Sequence, residues 1–254
     1  ITLYERLTDI NPDEDSYSET LSQLLMNTDD FSETKKFLKT LIDKYPGRAS
    51  HYLNLAVLYS RNGQNQEALS VLDTVETKFP DNSDAPFLRG RIYFNIGRLE
   101  ESAKLLQKAL KKDSTNTQAA HMLANNWEQL KQYNKSDSLY KNLIEKNPKD
   151  AIALNNLAYS YAIRNRNLDS ALNYINSALK LSPNNPSYLD TKGWIYFKMN
   201  KPKKAAKWVE QALEKIDNGN AEIYEHLGDI YLKLDDEQKA EKYYQEAKKI
   251  EKIN

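Results

Sequence analysis

Apolar and polar residues alternate along this chain with a helical period, and the period itself recurs. Tyr52, Leu55, Ala56 and Tyr59 fall at helical intervals, and after a break Ala68, Leu72 and Val75 do the same. Residues spaced this way line one side of an α-helix, so each stretch predicts an amphipathic helix with one face to bury. Turn residues separate the stretches: Asn62-Gly63, then Ile96-Gly97, Asn134 and Asn200-Lys201-Pro202. Pro202 fits a helix start, where a missing N–H is not needed. The pattern predicts helical hairpins with tight turns.

The hairpins recur on a fixed beat. Pro12, Pro46 and Pro80 are 34 residues apart, Pro148 lies two such steps further with Ser114 at the missing stop, and Pro183 follows after 35. Position 8 of each unit is small: Ala56, Gly90, Ala124, Ala158, Gly193 and Gly228. Position 11 is aromatic: Tyr59, Tyr93, Trp127, Tyr161, Tyr196 and Tyr231. A second small residue stands twelve places after position 8, at Ala68, Ser102, Ser136, Ala205 and Ala240, and at Ala171 after one extra residue. Small residues facing each other let two helices approach closely, and the aromatic fills the wider gap beside them. Proline at position 32 ends the second helix, and the Asn or Asp after it can cap the next. Seven units result, 15–48, 49–82, 83–116, 117–150, 151–185, 186–220 and 221–254, in one array. The first is degenerate, with Ser18, Ser22 and Thr34 at signature positions. Residues 1–14 have the phase of a second helix, with Tyr4, Leu7 and Pro12 where Leu72, Val75 and Pro80 sit, so the expectation is a fragment of a longer array.

This residue set resembles the tetratricopeptide repeat over the whole chain, most closely at Tyr188–Ala212 (YLDTKGWIYFKMNKPKKAAKWVEQA) and Tyr224–Ala247. The resemblance implies an all-α fold, a right-handed α-solenoid of tandem helix-turn-helix hairpins, with the signature residues as scaffold. It further implies a concave wall built from the first helix of each unit at positions 2, 5, 6, 9, 12 and 13. The candidates read there are Asn54, Phe87, Arg91, Phe94, His121, Asn125, Asn155, Asn156, Tyr159, Asp190, Trp194 and Phe197. Asparagine amides offer the donors and acceptors that pair with an extended peptide backbone. The aromatics supply apolar anchors. The expected partner is therefore a protein or peptide. The family's carboxylate clamp for a C-terminal Glu-Glu-Val-Asp tail needs a Lys at position 5, which no unit has; Asn125 holds position 9 of the fourth unit, but its position 5 is His121. That ligand is excluded. The last unit is acidic on this face, which suits a basic segment. Units five to seven, through Asn155-Asn156-Leu157-Ala158-Tyr159, Leu189-Asp190-Thr191-Lys192-Gly193-Trp194 and Glu225-His226-Leu227-Gly228-Asp229, are similar to the C-terminal repeats of bacterial envelope proteins of this family. Some of those are outer-membrane lipoproteins acting as protease adaptors. This favours a periplasmic or outer-membrane-associated location over the cytoplasm. The lipid-bearing cysteine of such proteins is absent, as expected of a fragment.

Composition narrows the alternatives. Lys+Arg and Asp+Glu both number 36, so no long-range field favours nucleic acid. Only 7 Gly and 8 Pro punctuate the chain, which fits long helices. With no cysteine there are no disulfides, thiolate metal sites or Cys nucleophiles. No apolar run reaches the roughly 18 residues that span a bilayer, so no direct membrane insertion is expected within 1–254. There is no Gly-rich phosphate loop, no His-Glu-x-x-His and no nucleophile elbow. His51, His121 and His226 lie in three different units, one helix layer apiece, so convergence on a metal with carboxylates is not expected. The reading is a binding scaffold without cofactor, metal or catalytic residues. Its alternatives are a structural solenoid that self-associates through its open ends, and an accessory domain of an enzyme encoded outside 1–254.

Overall fold

A computed structural model describes residues 15–28, 30–216 and 219–252; the side chains of 15–19 and 251 are outside the description. The second helix expected over 1–14 lies outside the described residues. Those described form fourteen α-helices and no strand. The first unit, which ends at Leu130, contains α1 (Asp15–Met26), α2 (Phe31–Lys44), α3 (Ala49–Arg61), α4 (Asn65–Lys78), α5 (Asp84–Asn95), α6 (Leu99–Lys112) and α7 (Thr117–Gln129). The second, from Lys131, contains α8 (Tyr133–Lys146), α9 (Ala151–Ile163), α10 (Leu168–Leu181), α11 (Pro186–Lys198), α12 (Pro202–Leu213), α13 (Ala221–Lys233) and α14 (Glu237–Glu251). Odd-numbered helices from α1 to α13 are the first helices of the repeats.

The turn within each hairpin is set by one backbone position. Gly63, Gly97, Lys131, Asn165, Asn200 and Asp235 all have positive φ, and all stand at position 15 of their repeats. This left-handed residue ends the first helix and turns the chain back. The N–H after it then donates to the carbonyl of the position-11 aromatic: Gln64 to Tyr59 at 2.9 Å, Arg98 to Tyr93 at 2.8 Å, Arg166 to Tyr161 at 2.9 Å, Lys201 to Tyr196 at 2.9 Å and Asp236 to Tyr231 at 3.0 Å. Such bonds satisfy carbonyls that the helix end leaves open. The extra residue of the fifth repeat produces a second left-handed residue, Asn167 (φ 49°), immediately before α10.

The residues after the position-32 stop cap the next first helix. Asn82 accepts from the N–H groups of Asp84 and Ala85, Asn116 from Ala119, Asp150 from Ala153, Asn185 from Tyr188 and Asn220 from Glu222, at 2.9–3.2 Å. Each cap is worth about 1 kcal/mol.

Close packing follows from the small residues. A Cβ on Gly193 would collide with Val209 Cγ2 and stand 3.1 Å from the Ala205 carbonyl oxygen. One on Gly228 would strike the ring of Tyr244. In α5/α6 the pairing of positions 8 and 20 is a bond: buried Ser102 Oγ donates to the Gly90 carbonyl at 2.7 Å. In the degenerate first repeat Ser22 and Thr34, at positions 8 and 20, are both fully buried, and Thr34 Oγ1 donates to the carbonyl of position 11, Leu25, at 3.1 Å. Scaffold residues are thus consumed by packing, and the remaining positions of the first helices are what a partner can meet.

Candidate functional site

The first unit presents α3, α5 and α7. In α3, Tyr52, Leu55, Ala56 and Leu58 are buried, leaving Asn54 half-buried beside them and Arg61 exposed at the helix end. Arg61 Nη1 donates to the Met26 carbonyl at 3.0 Å. In α5, Phe87 is buried at 7% exposure, and the half-buried Arg91 guanidinium lies 5.9 Å from its ring centroid. Burial, and then the like charge of Arg61, pull Arg91 below the ordinary arginine value. Phe94 is half-buried and Asn125 exposed; together with Asn54 they hold no hydrogen bond or ring contact among the described residues. His121 on α7 is half-buried.

The second unit presents α9, α11 and α13, and here the candidates converge. Asn155 Nδ2 donates to Asn156 Oδ1 at 3.2 Å, while Asn155 Oδ1 is buried without a hydrogen-bond partner among the described residues. The Tyr159 hydroxyl donates to Glu222. Burial, then that bond, raise the Tyr159 hydroxyl well above the usual tyrosine range. Asp190 is 5% exposed, and both its oxygens accept from His226 Nδ1, at 2.9 and 3.0 Å. Burial raises the Asp190 carboxyl, against the pull of the His226 bond. The bond also fixes the imidazole tautomer, with the proton on Nδ1. Trp194 stacks on His226 with centroids 3.9 Å apart and on Phe197 at 4.8 Å, both pairs within 16° of parallel. Lys198 Nζ stands 4.4 Å from the Trp194 ring centroid.

Sequence reasoning placed Asp190, Trp194 and Phe197 on this face and left His226, which joins them, out of the candidate set. It set the three histidines in separate layers and asked of them only whether they converge on a metal, so the pairing of His226 with Asp190 went unread. His226 reaches Asp190 because position 6 of one repeat lies beside position 5 of the repeat before it, 36 residues away. Glu222 meets Tyr159 across 63 residues, two repeats apart. Among the described residues no group of three or more His, Asp or Glu is placed to hold a metal ion. No described helix is long and apolar enough to cross a membrane.

Comparison with known proteins agrees with this architecture. Family models described as "Tetratricopeptide repeat" match residues 53–117 and 122–186, and again 186–214 and 221–254. A tetratricopeptide repeat protein from Parabacteroides merdae superposes with a TM-score of 0.75 at 20% identity, over 97% of this chain and 93% of that one. The protein YrrB, described as having an unusual peptide-binding site, superposes with a TM-score of 0.57 at 21% identity, over 70% of this chain and 91% of its own. A TPR repeat-containing protein of Pseudomonas aeruginosa is 38% identical over 72 residues, which is 28% of this chain and 12% of that protein.

Proposed function

The chain belongs to the tetratricopeptide repeat family, and from that premise we propose that it is a scaffold whose first-helix face binds an extended segment of a partner protein. One observation carries the reading. Ile152, Ile163 and Leu232 are 54%, 46% and 53% exposed, all on first helices of the second unit at positions the hairpins do not use for packing. Solitary exposed apolar residues are ordinary. These three share a set of helices with the Asn155–Asn156 amide pair, so apolar contact and backbone pairing are offered on the same elements. The peptide-binding site described for YrrB is consistent with this use of the fold.

The test is capture of peptides from a random display library by the whole chain, compared with the double variant Asn155→Ala plus Asn156→Ala. These half-buried residues lie outside the tightest packing, so the variant is expected to fold, by circular dichroism, and to lose capture by about tenfold or more. Unchanged capture contradicts the assignment of the amides. Capture by nothing in the library, together with dimers or higher species in light scattering, favours the self-associating solenoid instead.

A further inference from the structure

Positive charge gathers at the turn edge of the fourth, fifth and sixth repeats. At positions 15–19, where each first helix turns back into the second, these repeats place Lys131, Lys135, Arg166, Lys201, Lys203 and Lys204 against one acid, Asp169. All six cations are exposed. Among the described residues Lys131, Arg166, Lys201 and Lys203 form no ion pair. The connections between repeats, residues 145–150, 180–185 and 214–220, are balanced instead, with Lys146, Lys149, Lys180 and Lys215 against Glu145, Asp150, Glu214 and Asp217. In the seventh repeat the turn reverses sign, with Asp235, Asp236 and Glu237 against Lys239.

Local energetics oppose several of these residues. Lys131 takes the left-handed conformation (φ 57°) that Gly63 and Gly97 occupy in earlier repeats, where a β-carbon is disfavoured. Second helices α2, α4, α6, α10 and α14 carry Asp or Glu in the first turn, the sign that the helix dipole favours. The first turns of α8 and α12 have no acid and hold Lys135, and Lys203 with Lys204. Solubility alone does not ask for one sign at one end of three consecutive hairpins. An edge kept positive against local preference points to an anionic partner.

The edge is also shaped. Lys131, Gln132, Tyr133, Asn134, Lys135 and Arg166 line an open hollow of about 350 Å³, and Lys201, Pro202, Lys203, Lys204 and Leu234 line another of about 280 Å³. Five of the six cations are lysines. A lysine ammonium is a compact point charge on a flexible stem and suits a diffuse anionic plane, whereas a guanidinium suits a fixed fork of acceptors. Turns at one end of consecutive hairpins meet a plane together. Screening confines the attraction to about 10 Å, so the edge decides it and the zero net charge of the chain does not.

We propose that the turn edge of the fourth to sixth repeats adsorbs to a bilayer surface of anionic phospholipid, with lipid phosphates at the two hollows. The contact is electrostatic, inserts no helix, and leaves the first-helix face open to polypeptide.

The test sediments the whole chain with vesicles of phosphatidylcholine alone and of phosphatidylcholine and phosphatidylglycerol in equal parts. Binding is expected to the anionic vesicles only, and to fall with added salt. Combining Lys201→Gln, Lys203→Gln and Lys204→Gln is expected to weaken it by about a hundredfold, roughly fivefold per lysine. Combining Lys146→Gln, Lys149→Gln and Lys180→Gln removes the same charge from the connections between repeats and is expected to change binding by less than about twofold. Both sets alter exposed side chains, so Tm is expected to hold. Equal losses in the two variants, or equal binding to both kinds of vesicle, overturn the proposal. Absence of binding to the anionic vesicles overturns it as well, and capture of polyglutamate in that case assigns the edge to an acidic protein.

Discussion

The faces of the two units carry similar residue types and use them in opposite ways. On α9, α11 and α13 most of the charged and aromatic groups pair with one another: Tyr159 holds Glu222, Asp190 holds His226, and Trp194 lies stacked on His226 and Phe197, while Asn155 Oδ1 and Trp194 Nε1 are buried without a hydrogen-bond partner among the described residues. On α3 and α5 they do not, since Arg91 meets Arg61 and a ring but no acid. A satisfied network rigidifies a surface and fixes its shape, because each group has an internal reason to stay. The second unit therefore offers a preorganised face with exposed apolar residues, and the first offers a half-buried arginine that no internal acid holds in place.

The comparison is broken or sharpened most strongly by two arginine truncations. Arg164 donates to Asp137, to Ser160 Oγ at 2.7 Å and to the Ser160 carbonyl at 2.9 Å, with the Tyr133 ring centroid 4.7 Å away. Arg164→Met strands a partly buried carboxylate and should cost about 3 kcal/mol in urea unfolding. Arg91→Met keeps the stem packing and strands nothing, so its effect should stay within about 0.5 kcal/mol of zero. Equal losses would erase the distinction between the units.

The next effect concerns packing. Gly193→Ala and Gly228→Ala in the second unit meet Val209 and the Tyr244 ring, and overpacking of this kind should cost about 2 kcal/mol each. Gly90→Ala in the first unit meets only the Leu106 side chain at 3.1–3.2 Å and the Leu105 Cβ at 3.4 Å, and alanine recovers up to about 1 kcal/mol of helix propensity. Its stability should change by less than 1 kcal/mol. Thermal unfolding of the three variants ranks them.

The smallest effect is in the turns. The first unit uses Gly63 and Gly97 at the left-handed position, whereas the second begins with Lys131 at φ 57°. A β-carbon is disfavoured there by about 1 kcal/mol or more, so Lys131→Gly should stabilise the chain by about 0.5–1 kcal/mol. No gain in Tm would show that other contacts of the Lys131 side chain offset the strain.

Much of this fold is legible in the sequence because each repeat states it again. The small residues at positions 8 and 20, the turn glycines and the capping Asn and Asp act within one hairpin or across one short connection, where sequence spacing is spatial spacing. Lys131 is an exception: the sequence suggests Asn134 as the turn of this hairpin, but Asn134 lies in the first turn of α8 and Lys131 takes the left-handed φ, which nothing in a lysine announces. The binding face was legible as a set of positions but not as a set of contacts. Which side chains meet between repeats, adjacent or two apart, depends on the stagger of one hairpin on the next, and a 34-residue period does not express that offset. His226 on Asp190 and Glu222 on Tyr159 both arise from it. Exposure was equally hidden. Phe87 and Trp194, expected as apolar anchors, are each 7% exposed, and Trp194 is stacked on His226 and Phe197.

The central claim is that polypeptide binds the first helices. Hydrogen–deuterium exchange of the whole chain with and without a library-selected peptide tests it directly. Increased protection is predicted on first helices, α3 and α5 or α9, α11 and α13, with the second helices α4, α6, α10 and α12 unchanged. Protection concentrated on the second helices would contradict it.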